Sequence, residues 1–236
     1  MNQKRLLLLS NSTNPGTSFL SYPKLHIRAF LGQDIKNILF IPYAAVGFSY
    51  DEYEIKVFEA FGEMGYHVKS IHHFADPVAA VEQFDAIVIG GGNTFHLLYE
   101  LYKNDLLNIV RSQVDRGIPY IGWSAGSNVA GPSIKTTNDM PIIEPPSFEA
   151  INLIPFQINP HYTEESLPNH GGETRPDRIN EFIAIHPNVY VVGVPEGNML
   201  KVVGNSCELI GDGPVSIFLK GREKIDAAEK NLDWLL

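Results

Sequence analysis

The stretch Gly122-Trp123-Ser124-Ala125-Gly126 follows a short apolar run, Ile118-Pro119-Tyr120-Ile121, and leads into a segment of helical character. A strand entering a helix through Gly-x-Ser-x-Gly is the pattern of a nucleophile elbow, in which a strained turn holds a hydroxyl clear of the backbone. Glycines two residues to either side relieve the crowding. The same residues also suit an ordinary turn or a helix N-cap, and the pattern alone does not choose. A second glycine-rich turn, Gly90-Gly91-Gly92-Asn93-Thr94, follows the apolar run Ala86-Ile87-Val88-Ile89 and also opens a helix. Backbone amides at such a turn attract anions. Neither G-x-G-x-x-G nor the G-K-[ST] ending of a P-loop is present, which disfavours a nucleotide; the amides are instead available to an oxyanion beside Ser124.

A serine nucleophile needs a base, and the base needs an orienting group. The chain has eight histidines. His26, His67, His72, His73, His96 and His186 lie in or beside expected helices and strands with no companion motif. The pair His72-His73 has no HExxH context and no ligand partner at metal-site spacing. His170 sits in a polar loop before two glycines and reads as solvated. His161 is different, because in Phe156-Gln157-Ile158-Asn159-Pro160-His161-Tyr162 it follows a strand-like run and a proline that fixes the backbone. Two acids are candidates to orient it: Asp139, in Thr136-Thr137-Asn138-Asp139-Met140-Pro141, and Glu196, in Val194-Pro195-Glu196-Gly197-Asn198.

The elements that must carry these residues alternate. RLLLLS, NILFIPYA, YHVKSIH, AIVIGGG and IPYIGWS read as strands, and residues 22 to 32, 52 to 64 and 94 to 116 have helical spacing between them. This is the signature of an α/β fold: a doubly wound, mostly parallel sheet with helices on both faces. Ligands in such sheets sit beyond the carboxyl ends of the strands. From 131 to 178 prolines break any long helix, and long irregular loops of this kind are often functional. A helix near Asp177 to Ile185 follows. VYVVGV, NMLKVVG, SCELIG and PVSIFLKG then read as a partly antiparallel end of the sheet near the C-terminus.

Composition bounds the function. With 44% hydrophobic and 19% charged residues the chain reads as globular, and 236 residues suffice for one α/β domain spanning 1–236. A net charge of −9 without a basic cluster disfavours nucleic acid and anionic membrane as partners. The apolar run at the start is too short for a signal peptide and reads as the first strand. The one cysteine, Cys207, excludes an intrachain disulfide framework and a Cys-rich metal site. A cytoplasmic protein without a metal or other cofactor is expected; oligomeric state is not legible.

GGGNTF, GWSAGSNVAG, TTNDMPI, PPSF, PFQINPHY, GETR and VPEGN occur in this order over most of the chain. Together they resemble the peptidase E family, the aspartyl dipeptidases among serine peptidases, whose fold is similar to class I glutamine amidotransferases with serine at the elbow cysteine. The resemblance implies hydrolysis of dipeptides with N-terminal aspartate through an aspartyl-enzyme. It implies Ser124 as nucleophile and His161 as general base, with Asp139 or Glu196 as the acid. It also implies an oxyanion hole from Gly92 and the N–H of Ala125, and pairing of Arg175 with the substrate side-chain carboxylate. Without the resemblance, Arg175 would be expected in a surface pair with Glu173 or Asp177. For the orienting acid the expectation is Asp139, which lies between Ser124 and His161 in the chain; Glu196 would then accept from the substrate's α-ammonium. A cyanophycinase-like enzyme acting on β-linked aspartyl residues and an amidotransferase-like binding module without catalysis are the competing readings.

Overall fold

The computed structural model describes residues 3–165 and 171–236; His170 lies outside them. Eleven strands are formed among the described residues: β1 (Arg5–Leu9), β2 (Asn37–Ile41), β3 (His67–Ser70), β4 (Ala86–Ile89), β5 (Tyr120–Trp123), β6 (Gln157–Pro160), β7 (Val191–Val194), β8 (Met199–Val203), β9 (Ser206–Ile210), β10 (Val215–Phe218) and β11 (Ile225–Ala227). The helices are α1 (Lys24–Leu31), α2 (Tyr50–Gly62), α3 (Pro77–Val81), α4 (Thr94–Lys103), α5 (Leu106–Asp115), α6 (Ala125–Asn128) and α7 (Arg175–Ile185). The main sheet has the order β3-β2-β4-β5-β1-β8-β9. Its first five strands are parallel, and β8 and β9 add an antiparallel edge.

The leucine run explains why this sheet is covered on both faces. Leu6 and Leu8 join Leu39, Ile87 and Ile89 in one apolar cluster, with Leu97, Leu98 and Leu101 of α4 and Val110 and Val114 of α5. Leu7 and Leu9 point the other way, and with Phe40, Val88 and Trp123 they meet Ile27 and Phe30 of α1 and Val57 and Phe61 of α2. Side chains alternate with a period of two along a strand, so a continuous apolar run has two faces to bury.

Two expectations are corrected in detail. The helical spacing over 94 to 116 is interrupted, because Asn104 turns its side-chain amide onto the Glu100 carbonyl at 2.8 Å and Asp105 takes a left-handed φ of 54°. Short polar side chains compete with the helix for backbone partners and tolerate this conformation, so α4 stops and α5 begins. The C-terminal strands, in turn, do not all extend the main sheet. NMLKVVG and SCELIG do, as β8 and β9, whereas VVGV (β7) and VSIF (β10) enter a second sheet of order β11-β10-β7-β6, with β6 parallel to β7. Apolar spacing defines a strand but not the edge it joins. Both sheets share one core, since Ile158, Val192 and Val194 belong to the same apolar cluster as Leu6 and Leu8.

Among the described residues, no helix is long and apolar enough to cross a membrane. Cys207 on β9 is unpaired and buried, and burial pushes its thiol up to about 12, which leaves it inert as a nucleophile at neutral pH.

Candidate active site

Five segments end on one cavity or just behind it, and each follows the carboxyl end of a strand. Ser10 follows β1, the Gly90–Asn93 turn follows β4, Ser124 follows β5, His161 follows β6, and Pro195-Glu196 follows β7. The cavity has a volume of about 600 Å³, and Thr94, Ser124, Ala125, Asp139, His161, Arg175 and Glu196 all line it.

Ser124 has φ 52° and ψ −113°, a strained conformation for a residue with a side chain. The turn is tight enough to demand its glycines: a Cβ on Gly126 would lie 2.1 Å from the Ile89 carbonyl oxygen, and one on Gly122 would lie 2.4 Å from that of Gly126. Crossing helix and strand thus exclude any side chain at these two positions, the crowding that a nucleophile elbow has and a simple N-cap does not need. No side-chain capping bond from Ser124 is formed. Ala125 opens α6, so its N–H has no partner within the helix.

His161 also has a positive φ, 53°, imposed at the end of Pro160. Its backbone N–H donates to Ser10 Oγ at 2.8 Å, and Ser10 Oγ donates to the Val194 carbonyl at 2.7 Å. One buried hydroxyl therefore ties the end of β1 in the main sheet to the ends of β6 and β7 in the second. On the imidazole, Nε2 lies 2.9 Å from Ser124 Oγ and Nδ1 lies 2.6 Å from Glu196 Oε1. An ionised carboxylate only accepts, so Nδ1 carries the proton and Nε2 is left to accept from the Ser124 hydroxyl. This is the tautomer a general base requires.

The acid in contact with His161 is Glu196, while Asp139, expected there from the sequence, has other partners. Asp139 Oδ2 accepts from the Thr94 backbone N–H at 2.7 Å, from Thr94 Oγ1 at 2.6 Å and from Thr137 Oγ1 at 3.2 Å. Thr94 is the first residue of α4, where a carboxylate is favoured by the helix dipole and by amides that have no intrahelical partner. That demand draws Asp139 to the helix start and leaves Nδ1 to Glu196. Asn11, which sequence reasoning missed, steadies the Glu196 turn: its Oδ1 accepts from the Gly197 N–H at 2.9 Å and from Tyr22 OH at 3.0 Å.

These two environments separate under mutation. Glu196→Gln is expected to lower kcat about 10²-fold with a small change in KM. That is less than the roughly 10⁴-fold of a fully buried orienting acid, because the Glu196 side chain is 46% exposed and water replaces part of its effect. Asp139→Asn is expected to raise KM and lower the melting temperature by several degrees, since an amide cannot satisfy the Thr94 amide and both hydroxyls as a carboxylate does. Steady-state kinetics and thermal melts of both variants check this. A collapse of kcat confined to Asp139→Asn would instead assign the orienting role to Asp139.

The Gly90–Asn93 turn packs against the elbow: a Cβ on Gly91 would come within 3.0 Å of the Ser124 Cβ. Gly92, at φ 140°, does not itself line the cavity among the described residues. Behind the turn sits a second pair that sequence reasoning missed. Tyr53 of α2 is buried and donates from its hydroxyl to the Gly91 carbonyl at 3.0 Å, while accepting from Trp123 Nε1 at 2.9 Å. One hydroxyl thus couples the residue before Ser124 to the glycine turn. Tyr53→Phe would strand a buried donor and a buried acceptor, a cost of about 2 kcal/mol. A melting temperature lower by roughly 4–8 °C is expected for a chain of this length, with kcat reduced more than KM. Unchanged stability would mean that neither group depends on the hydroxyl.

Arg175 opens α7 behind the Thr174 cap. Neither expected surface partner takes it. Glu173 faces Arg178 at 3.9 Å, and Asp177 Oδ2 accepts from Thr174 N and Oγ1 at 2.9 and 2.7 Å in a capping box. Arg175 Nη1 is buried with no hydrogen-bond partner among the described residues. Burial, and then the nearby Arg178, hold the guanidinium below its usual range, with Glu196 and Asp139 partly offsetting them. A buried donor without a partner is uncommon and asks for a ligand. The arrangement can supply a hydroxyl nucleophile with its base, an unengaged amide beside it, and a guanidinium for an anionic group.

Comparison with known proteins defines the class. The sequence profile of peptidase family S51 matches residues 6–210, and the chain belongs to that family: it is a peptidase. The similarity to individual members runs over nearly its full length. The protein named peptidase E from Nostoc sp. is 52% identical over 234 residues, covering 99% of this chain and 97% of that one. Peptidase E from Shewanella amazonensis is 50% identical over 217 residues, covering 92% of each. Among solved structures, a peptidase from an acI-B1 Actinobacterium has a TM-score of 0.70 at 16% identity, covering 96% of both chains. A provisionally named peptidase E from Listeria monocytogenes EGD-e has a TM-score of 0.67 at 22% identity, covering 89% of this chain and 99% of that one. These two share the fold.

Proposed function

We propose that the protein is a serine exopeptidase that hydrolyses dipeptides with N-terminal aspartate. The observation that carries this reading is the buried, unpartnered Arg175 Nη1 in the same cavity as a Ser124 Oγ held 2.9 Å from His161 Nε2. A guanidinium binds a carboxylate by two parallel hydrogen bonds, and a neutral amide of the same shape cannot replace it. The near full-length similarity to proteins named peptidase E supports the same reading.

In the reaction, His161 Nε2 takes the proton of Ser124 as Oγ attacks the scissile carbonyl, and Glu196 stabilises the imidazolium through Nδ1–H. The developing oxyanion is received by the N–H of Ala125; loss of such a donor typically costs about 2.7–4 kcal/mol. The imidazolium returns its proton to the leaving amine, and the second amino acid departs. Water, activated by the same nitrogen, then attacks the aspartyl ester and frees aspartate and Ser124. Asp139 keeps a second carboxylate oxygen that accepts none of the hydrogen bonds among the described residues. It serves the substrate's α-ammonium, whose burial would otherwise be costly. The whole chain works as one unit in this reading, because the triad spans Ser124 to Glu196 and Ser10 braces it. No metal or other cofactor takes part, and the site of action is the cytoplasm.

The test is a dipeptide library with every residue at the first position, followed by α- and β-linked aspartyl dipeptides side by side. Selective cleavage of α-linked Asp-Xaa is expected. Preference for the β-linkage would favour a cyanophycinase-like activity, and failure of a fluorophosphonate to label Ser124 would favour a binding module without catalysis.

A further inference from the structure

On the edge of the main sheet, three strands from β5 and Ser124, four ligand-type side chains converge. Asp51 and Glu54 lie one turn apart on α2, and His72 and His73 form the short 3-10 turn that follows β3. Sequence spacing assigns the two histidines no ligand partner; the packing of α2 on the sheet edge supplies two. One ligand atom from each residue lies within 4.8 Å of all the others. His72 Nε2 is 2.8 Å from Asp51 Oδ1, His73 Nε2 is 2.6 Å from Glu54 Oε2, and His73 Nε2 is 4.0 Å from Asp51 Oδ1.

We propose that Asp51, Glu54, His72 and His73 form a binding site for a divalent transition-metal ion of the zinc class. A tetrahedral ion with bonds of 2.0–2.2 Å holds its ligand atoms about 3.3–3.6 Å apart. The observed separations straddle that range, so the two short contacts need to open by up to roughly 1 Å, and the longer ones to close by up to roughly 1.5 Å. Two neutral imidazoles and two carboxylates carry a net charge of −2, which a dication cancels. The mixed nitrogen and oxygen set selects Zn²⁺, Co²⁺, Ni²⁺ or Cu²⁺ over Mg²⁺ or Ca²⁺.

The surroundings fit ligation. Ser70 lies at the end of β3 and is fully buried. Its N–H donates to Glu54 Oε1 at 2.7 Å, fixing the carboxylate so that Oε2 faces His73, and its hydroxyl lies 2.6 Å from His72 Nδ1. A hydroxyl both donates and accepts, so it serves the tautomer in which Nδ1 carries the proton and Nε2 is free for a metal. Such outer partners orient ligating histidines and carboxylates in metal sites generally. A bound ion would pin α2 to the edge strand β3, and α2 carries Tyr53 between two of the ligands.

The test is titration of chelator-stripped protein with ZnCl₂ in competition with a chromophoric chelator, and with CoCl₂ followed by visible absorption. One equivalent of Zn²⁺, a tetrahedral Co²⁺ spectrum and a melting temperature raised by Zn²⁺ are expected. Asp51→Asn and His73→Gln should each weaken Zn²⁺ binding at least about tenfold and remove the spectrum. His161→Ala should change neither, which separates this site from the imidazole and carboxylate of the triad. Asp51 is 73% exposed, so its substitution keeps the fold intact. Absence of a stoichiometric equivalent, an unchanged affinity in Asp51→Asn and His73→Gln, or its loss only in His161→Ala would overturn the proposal and leave two ordinary histidine–carboxylate ion pairs. The measurement is independent of which peptide the enzyme cleaves.

Discussion

Ser124→Ala is expected to reduce kcat on Asp-Leu by roughly 10⁴–10⁶-fold, the scale on which serine triads lose activity when the nucleophile is removed. His161→Ala should lose about as much. The two act as one unit, because the hydroxyl is a weak nucleophile without the base and the base has nothing to deprotonate without the hydroxyl. The double variant should therefore be no slower than either single variant. Stability is not expected to follow activity: Ser124 Oγ bonds to His161, half-exposed at the cavity, and braces nothing in the core. Progress curves at high enzyme concentration, with thermal melts of the same samples, check both parts. Substantial residual turnover in Ser124→Ala would remove the serine mechanism, and additive losses would mean that His161 and Ser124 serve different steps.

Arg175→Ala should cost about 3–5 kcal/mol in transition-state stabilisation for Asp-Leu, the range for a buried charge left without its partner. That corresponds to a kcat/KM lower by roughly 10²–10⁴-fold. Both parameters should suffer, since anchoring the side-chain carboxylate also aligns the scissile bond. Asn-Leu, which gains nothing from the guanidinium, should be cleaved about as slowly as before. The effect on the free enzyme has the opposite sign. Nη1 is buried without a partner among the described residues, and burial already depresses the guanidinium's pKa. Removing it relieves a desolvation penalty, so the melting temperature should hold or rise. Loss of aspartate preference together with lost stability would point to a structural role. A variant that still prefers aspartate over asparagine as strongly as the parent would exclude Arg175 as the selectivity residue.

Much of this protein is legible where neighbours along the chain decide the outcome. The continuous apolar run Leu6–Leu9 requires a strand buried on both faces, and that run, repeated at Ile38–Ile41 and Ala86–Ile89 with helical spacing between, leads to the parallel sheet. Gly122 and Gly126 around Ser124 mark a turn too crowded for side chains, and Pro160 before His161 marks a fixed backbone. Each of these is a local steric or periodic constraint. Tertiary structure decided the rest, because the deciding contacts join residues far apart in sequence. Whether Glu196, 35 residues beyond His161, or Asp139 meets Nδ1 depends on which competitor claims each carboxylate, and the start of α4, 45 residues before Asp139, claims that one. Arg175 loses its neighbours Glu173 and Asp177 because one faces Arg178 and the other caps α7, which frees the guanidinium for the cavity. The division of the C-terminal strands between two sheets follows from edge pairing over long separations. So does the meeting of His72 and His73 with Asp51 and Glu54. Periodicity records which faces must be buried; it carries no information about which hydrogen-bonding partner arrives there first.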